Sequence, residues 1–191
     1  MALKLVIPPA AEPVTLEQVK AHLRLDGDGD DAWLTSAVAA ARHKGESITR
    51  RQFVEATYEL TLEGFPGNGA IEIPRPPLQS VEWIKYLDTS GQEQTLPPDS
   101  YEVDTSEEPG LVFLAYAKTW PATRSQKNAV TVRFVAGWPP GETPEGIQHW
   151  MLIKVATMYA AREAVTTGTI VSKVPRSHVD GLLDPYTLVI L

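Results

Sequence analysis

The spacing of apolar positions changes period twice along the chain. Leu16, Val19 and Leu23 form one stripe, and Leu34, Ala37, Val38, Ala41 and Ile48 form another. Recurrence at three- and four-residue intervals puts each set on one face of a helix. Thr15 and Gln18 have the spacing of a capping box, with Pro13 just ahead. The second helix is predicted from about Asp31 to Thr49; Ala39, Ala40 and Ala41 favour it and Gly45 weakens it locally. From about 53 to 138 the alternation has period two. The segments "YELTLEGF", "AIEIP", "SVEWIKYLD", "EQTLP", "SYEVD", "LVFLAY" and "AVTVRFVAG" each read as a strand. "TSGQ" is a hairpin turn, and "GFPGNG" reads as a hairpin loop. The helical period then returns: Ile147, Met151, Val155 and Met158 follow one stripe up to about Arg162 or Glu163, with Thr143 as cap and Pro144 at the first helical position.

Helices, then short strands, then a helix is not an α/β alternation. The pattern predicts an α+β fold: a small helical bundle, built from the N-terminal helices and a helix at about 144–163, with an inserted antiparallel β-sandwich or barrel. The expected parts are residues 1–52 (helical), 53–140 (β insert), 141–165 (helical) and 166–191, an extended C-terminal arm. The arm ends in "DGLLDPYTLVIL", an apolar terminus that needs a cover, either its own fold or another protein.

Composition narrows the chemistry. The chain has 191 residues, a formal net charge of −7 and no cysteine. It is long enough for an ordinary core, and disulfides, thiolate metal sites and cysteine nucleophiles are excluded. An acidic chain does not grip DNA through its phosphates. No stretch approaches the ~18 apolar residues of a membrane span, so a membrane partner is not expected. The opening "MALKLVIPPA" has an apolar run too short for a signal peptide, stopped by Pro8 and Pro9.

The most suggestive ligand motif is Asp26-Gly27-Asp28-Gly29-Asp30-Asp31. Read as a calcium loop starting at Asp26, it has Asp31 where glycine is required and Ala37 where a bidentate carboxylate is required. The motif is better read as a turn followed by a helix start, with Asp30 or Asp31 capping. His22, His43, His149 and His178 have no metal-ligand spacing, and there is no nucleophile elbow, phosphate loop or dinucleotide fingerprint. No catalytic, cofactor or metal residues are assigned. Trp33, Trp83, Trp120, Trp138 and Trp150 leave open a carbohydrate-binding or hydrolytic β-sandwich module.

Several segments in fixed order carry a resemblance. "EPVTLEQVKAHLRLD", an Ala-rich helix running into "ESITRRQF", then "IEIPRPPLQSVEWIKYLD", "KTWPATRSQKNAVTVRFVAGW" and "PEGIQHWMLIKVATMYAARE" resemble a head–tail connector family of long-tailed double-stranded DNA phages, in a branch with a β insert. The likeness spans about residues 12 to 163. It implies a non-enzymatic structural adaptor, without cofactor, assembled in the host cytoplasm and placed at the virion neck. The implied partners are copies of itself in a ring of about twelve, the portal protein, a head-closure or tail protein, and double-stranded DNA passing through the channel. A head-closure or tail-terminus protein of the same neck is the alternative. The resemblance makes Leu182, Leu183, Tyr186, Leu188, Val189 and Ile190 the portal-docking residues. Arg42, Arg50 and Arg51 are the expected ring-interface residues. One departure concerns position 50, where the family closes the second helix with glycine and this chain has Arg50.

Overall fold

Among the described residues eleven helices and strands, together with two short 3₁₀ turns, follow in the order the periodicity predicts, with one addition at the start. The structure is a computed structural model and describes residues 1–67, 69–167, 179 and 181–188. The elements are β1 (Ala2–Ile7), α1 (Leu16–Leu23), α2 (Asp31–Thr49), β2 (Ala56–Leu62), β3 (Ile71–Ile73), β4 (Leu78–Leu87), β5 (Glu93–Thr95), β6 (Tyr101–Asp104), β7 (Gly110–Leu114), β8 (Val130–Ala136) and α3 (Glu145–Thr167). The 3₁₀ turns cover Pro98–Ser100 and Gly181–Tyr186. The chain divides into two compact units: Met1–Ala10 with Val54–Trp138, and Ala11–Phe53 with Pro139–Leu191.

The first unit is a sandwich of antiparallel strands. One sheet has the order β1-β2-β8-β4-β5, the other β3-β7-β6; the described residues close no barrel. Tyr58, Leu60, Ile84, Val132 and Phe134 of the larger sheet meet Ile71, Ile73 and Val112 of the smaller in one core. The "TSGQ" turn joins β4 to β5 as expected. Asp88 organises it by accepting from the Ser90 and Gln92 amides at 2.9 and 3.0 Å and from the Ser90 hydroxyl at 2.6 Å. The "GFPGNG" segment is not a hairpin. β2 pairs with β1 and β8, so the loop carries the chain from the larger sheet to the smaller.

The added element is β1. The apolar run at residues 2–7 pairs antiparallel with β2, Leu3 opposite Leu60 and Leu5 opposite Tyr58. Residues 1–10 therefore belong with the strands, not with the helical residues that follow. Pro8 and Pro9 end the strand because neither has an N–H to extend a ladder.

The second unit holds α1, α2, α3 and the Gly181–Tyr186 turn. The capping box of α1 is present: the Thr15 hydroxyl accepts from the Gln18 amide at 3.2 Å, and the Gln18 side chain accepts from the Thr15 amide at 2.7 Å. The α2 boundaries match the predicted ones. The helix ends with Arg50 in the left-handed conformation, φ 61°, so an arginine takes the backbone geometry that glycine ordinarily supplies. Gly45, the weak point of the periodic pattern, is a packing requirement. A Cβ there would lie 2.4 Å from the Phe53 ring and 3.0 Å from Trp150, both fully buried. α3 starts at Glu145, directly after Pro144, and continues to Thr167, past the predicted end. The Thr143 hydroxyl is buried and donates to the Phe53 carbonyl at 2.8 Å, which ties the start of α3 to the end of the α2 segment.

Candidate functional site

The acidic motif at the head of α2 resolves into two ion pairs. Asp31 takes the Lys20 ammonium at 2.8 Å, joining α1 to α2. Asp30 stands at the N-cap, but its side chain makes no capping bond. It accepts instead from the Tyr159 hydroxyl at 2.7 Å and from Arg162 at 2.8 Å, so it pins α3. Hydrogen bonding by Arg162 and then Tyr159 holds its carboxyl below the usual range. Trp33 completes the cluster, edge-on to Tyr159 with the Arg162 guanidinium over its ring. Among the described residues no three His, Asp or Glu side chains gather as a metal site.

The three arginines expected at a ring interface have separate fates. Arg42 is buried, its Nε and Nη2 on the two oxygens of Glu12 at 2.7 and 3.2 Å and its Nη1 on Glu46 at 3.2 Å. Glu46 is buried as well and accepts further bonds from the Gln52 side chain at 2.8 Å and the Phe53 amide at 3.2 Å. Burial pushes the Glu46 carboxyl up, and Arg42 partly offsets this. For Arg42, burial works against the charge, but bonding to Glu12 and the field of Glu46 outweigh it and raise its pKa. Arg51 is buried too, and its Nε donates to the Tyr186 carbonyl at 2.5 Å. Arg42 and Arg51 are thus buried and bonded within their own unit. Arg50 alone of the three is exposed.

The expected docking residues at the arm divide in the same way. Leu183 is fully buried in the helical unit, so it does not serve as a free anchor. Its removal from water is local: the 3₁₀ turn brings it inward, and the Thr187 hydroxyl closes the turn on its carbonyl at 2.9 Å. The Tyr186 ring lies over Gly146, where a Cβ would come within 3.2 Å, and the Leu188 amide donates to the Thr49 carbonyl at 3.1 Å. Leu182, Tyr186 and Leu188 keep part of their surface exposed. Val189 and Ile190 lie outside the described residues. The terminus is therefore rooted on its own helices at the end of α2.

Sequence reading missed a second set of apolar positions, in the β unit. Leu3, Leu5, Ile7 and Phe113 are among the exposed large hydrophobic residues, and Tyr116 is 96 % exposed. The signal available was the run "LKLVI" itself, which has one charge in five residues. The tryptophans are mostly committed to packing: Trp150 is buried, Trp33 is in the helix-pinning cluster, and Trp120 stacks on Phe65 at 4.7 Å.

Residues 13–96 match the model of the phage gp6-like head-tail connector protein family. Three solved chains share the fold over 100% of this chain and 97% of their own. One comes from the "Neck of empty GTA particle computed with C6 symmetry", with TM-score 0.82 and 18% identity. Another is from the "Virion of native gene transfer agent (GTA) particle", with TM-score 0.80 and 19% identity. A third is from the "Neck of native GTA particle computed with C12 symmetry", with TM-score 0.74 and 19% identity. No curated protein matches the sequence.

Proposed function

We propose that this chain is the structural adaptor at the neck of a tailed phage or a phage-like particle, lying between head and tail. The connector-family match over residues 13–96 carries the reading. The full-length fold likeness to chains from particle necks supports it. Copies assemble as a ring, with twelve the expected number. Such a ring is a head-to-tail association that closes, so each protomer needs two different complementary faces. The ring sits below the portal, extends the DNA channel, and offers its far side to the next neck or tail protein. The net charge of −7 suits a wall along which phosphates slide without being gripped.

The portal is engaged by the terminus, with Leu182, Tyr186 and Leu188 at its root and Val189 and Ile190 beyond. Because Leu183 belongs to the helical core, removing residues 179–191 would damage the fold along with any docking. Truncation after Leu188 separates the two roles. Full-length chain should co-migrate with portal on sizing, and the truncated chain should fold but bind portal at least about tenfold more weakly. A full-length chain that ignores portal, with particles that retain DNA and join tails without it, would overturn the reading.

A further inference from the structure

The end of α2 is not completed by its own residues. The last carbonyls of a helix have no partner within it and must be satisfied from outside. Arg50 turns the chain there in the left-handed conformation, φ 61°. Thr49, just before it, is fully buried, so water does not reach its main chain. Its hydroxyl donates to the Gly45 carbonyl at 2.9 Å and accepts from the Arg51 amide at 3.3 Å. Its carbonyl accepts from the Leu188 amide at 3.1 Å. A segment remote in sequence therefore supplies the bond that finishes the helix.

Residues 181–188 form a strap between the end of α2 and the start of α3. Leu183 is its buried root. The Thr187 amide and hydroxyl fold it back on the Asp184 and Leu183 carbonyls at 3.2 and 2.9 Å. Arg51 holds the Tyr186 carbonyl, and the Tyr186 ring lies over Gly146 in the first turn of α3. Every strap residue after Leu183 keeps part of its surface in solvent. Segments open from their least covered end inward. The bond from Leu188 to Thr49 is therefore the first of these to open, and it is the one that completes α2. The opening stops nearby, because Gln52 and Phe53 are fully buried and both donate to Glu46.

We infer that the strap is a conformational coupler: a partner that holds the residues after Leu188 also closes the end of α2, and an unheld tip leaves that end free to open. This rests on the reading in which the portal engages the terminus. A partner that binds only the closed strap reduces the open population as its occupancy rises. The coupling is reciprocal, so a change that opens the end of α2 weakens docking by the same factor.

Amide hydrogen exchange of the full-length chain, free and with saturating portal, tests the coupling. Portal should slow the amides of residues 48–51 about tenfold or more and leave the Phe53 amide, inside the stopping point, nearly unchanged. Leu188→Pro deletes the N–H that the Thr49 carbonyl accepts. In the free chain it should speed the same amides about tenfold, and it should dock about tenfold more weakly than Leu188→Ala, which keeps the N–H. Portal that binds without slowing residues 48–51, slowing that persists in Leu188→Pro, or Leu188→Pro docking as tightly as Leu188→Ala would overturn the coupling and leave docking in place. The comparison of free and bound parent needs no variant, so it decides even where Leu188→Pro does not fold. A parent chain that never binds portal would instead overturn the docking reading, and the coupling with it.

Discussion

The helical unit and the β unit treat their apolar surface in opposite ways. The helical unit covers its own: Leu183, arriving from beyond the end of α3, is drawn fully into the core, and the segment is held there by the Leu188 amide on the Thr49 carbonyl and the Arg51 side chain on the Tyr186 carbonyl. The β unit stops short, leaving a strip along β1 and an aromatic knob in solvent. An apolar residue recruited by its own chain stabilises the fold, whereas one left bare is available to another molecule. Substitutions in the first region should therefore cost stability, and those in the second should leave it nearly unchanged.

The largest loss is expected where the helical unit buries charge. Glu46→Ala leaves Arg42 with one carboxylate fewer and removes an acceptor used by Gln52 and Phe53, for a cost of about 3–5 kcal/mol by denaturant unfolding. Glu46→Gln keeps an acceptor oxygen and should cost clearly less. Leu183→Ala comes next, at about 2–5 kcal/mol for a buried leucine; a loss under about 0.5 kcal/mol would mean that the terminus is not part of the core and would dissolve the contrast. Gly45→Ala forces a methyl against Phe53 and Trp150 and should cost about 1–3 kcal/mol, in spite of alanine's better helix propensity. On the other side, Leu5→Lys, at a half-exposed edge position, should shift stability by no more than about 0.5 kcal/mol.

The smallest expected effect is in acid. Asp88, lowered to about 2 chiefly by hydrogen bonds from the Ser90 and Gln94 side chains, has a folded value below its usual 3.8. Its contribution is present above 3.8 and is lost as pH falls through about 2. Asp88→Asn should flatten that limb of a melting-temperature profile. Glu46 works in the other sense: its folded value is raised, so its own titration lowers stability as pH climbs from 4.5 through the folded value. In Glu46→Gln that slope should vanish.

Period alone disclosed three helices and seven of the eight strands among the described residues. β1 was obscured because an edge strand with an open inner face has no alternation to display: Leu3, Leu5, Val6 and Ile7 look alike, and the prolines read as a simple stop. For Arg42 the clue was present in Glu46 four residues on, but the second partner, Glu12, comes from 30 residues away and only folding brings it near. For Arg51 no local clue existed, because its acceptor is a main-chain carbonyl 135 residues later. The apolar terminus was recognised as needing a cover, yet hydrophobicity does not say whose surface provides it.

The bonds that root the terminus, from Arg51 to the Tyr186 carbonyl and from the Leu188 amide to Thr49, both address the peptide backbone. Such a grip is blind to spelling. Exchanging the side chains at 186 and 188 for any but proline leaves both bonds their atoms, so the surface this stretch offers can be retailored to a new neighbour while the body that bears it stays as it is.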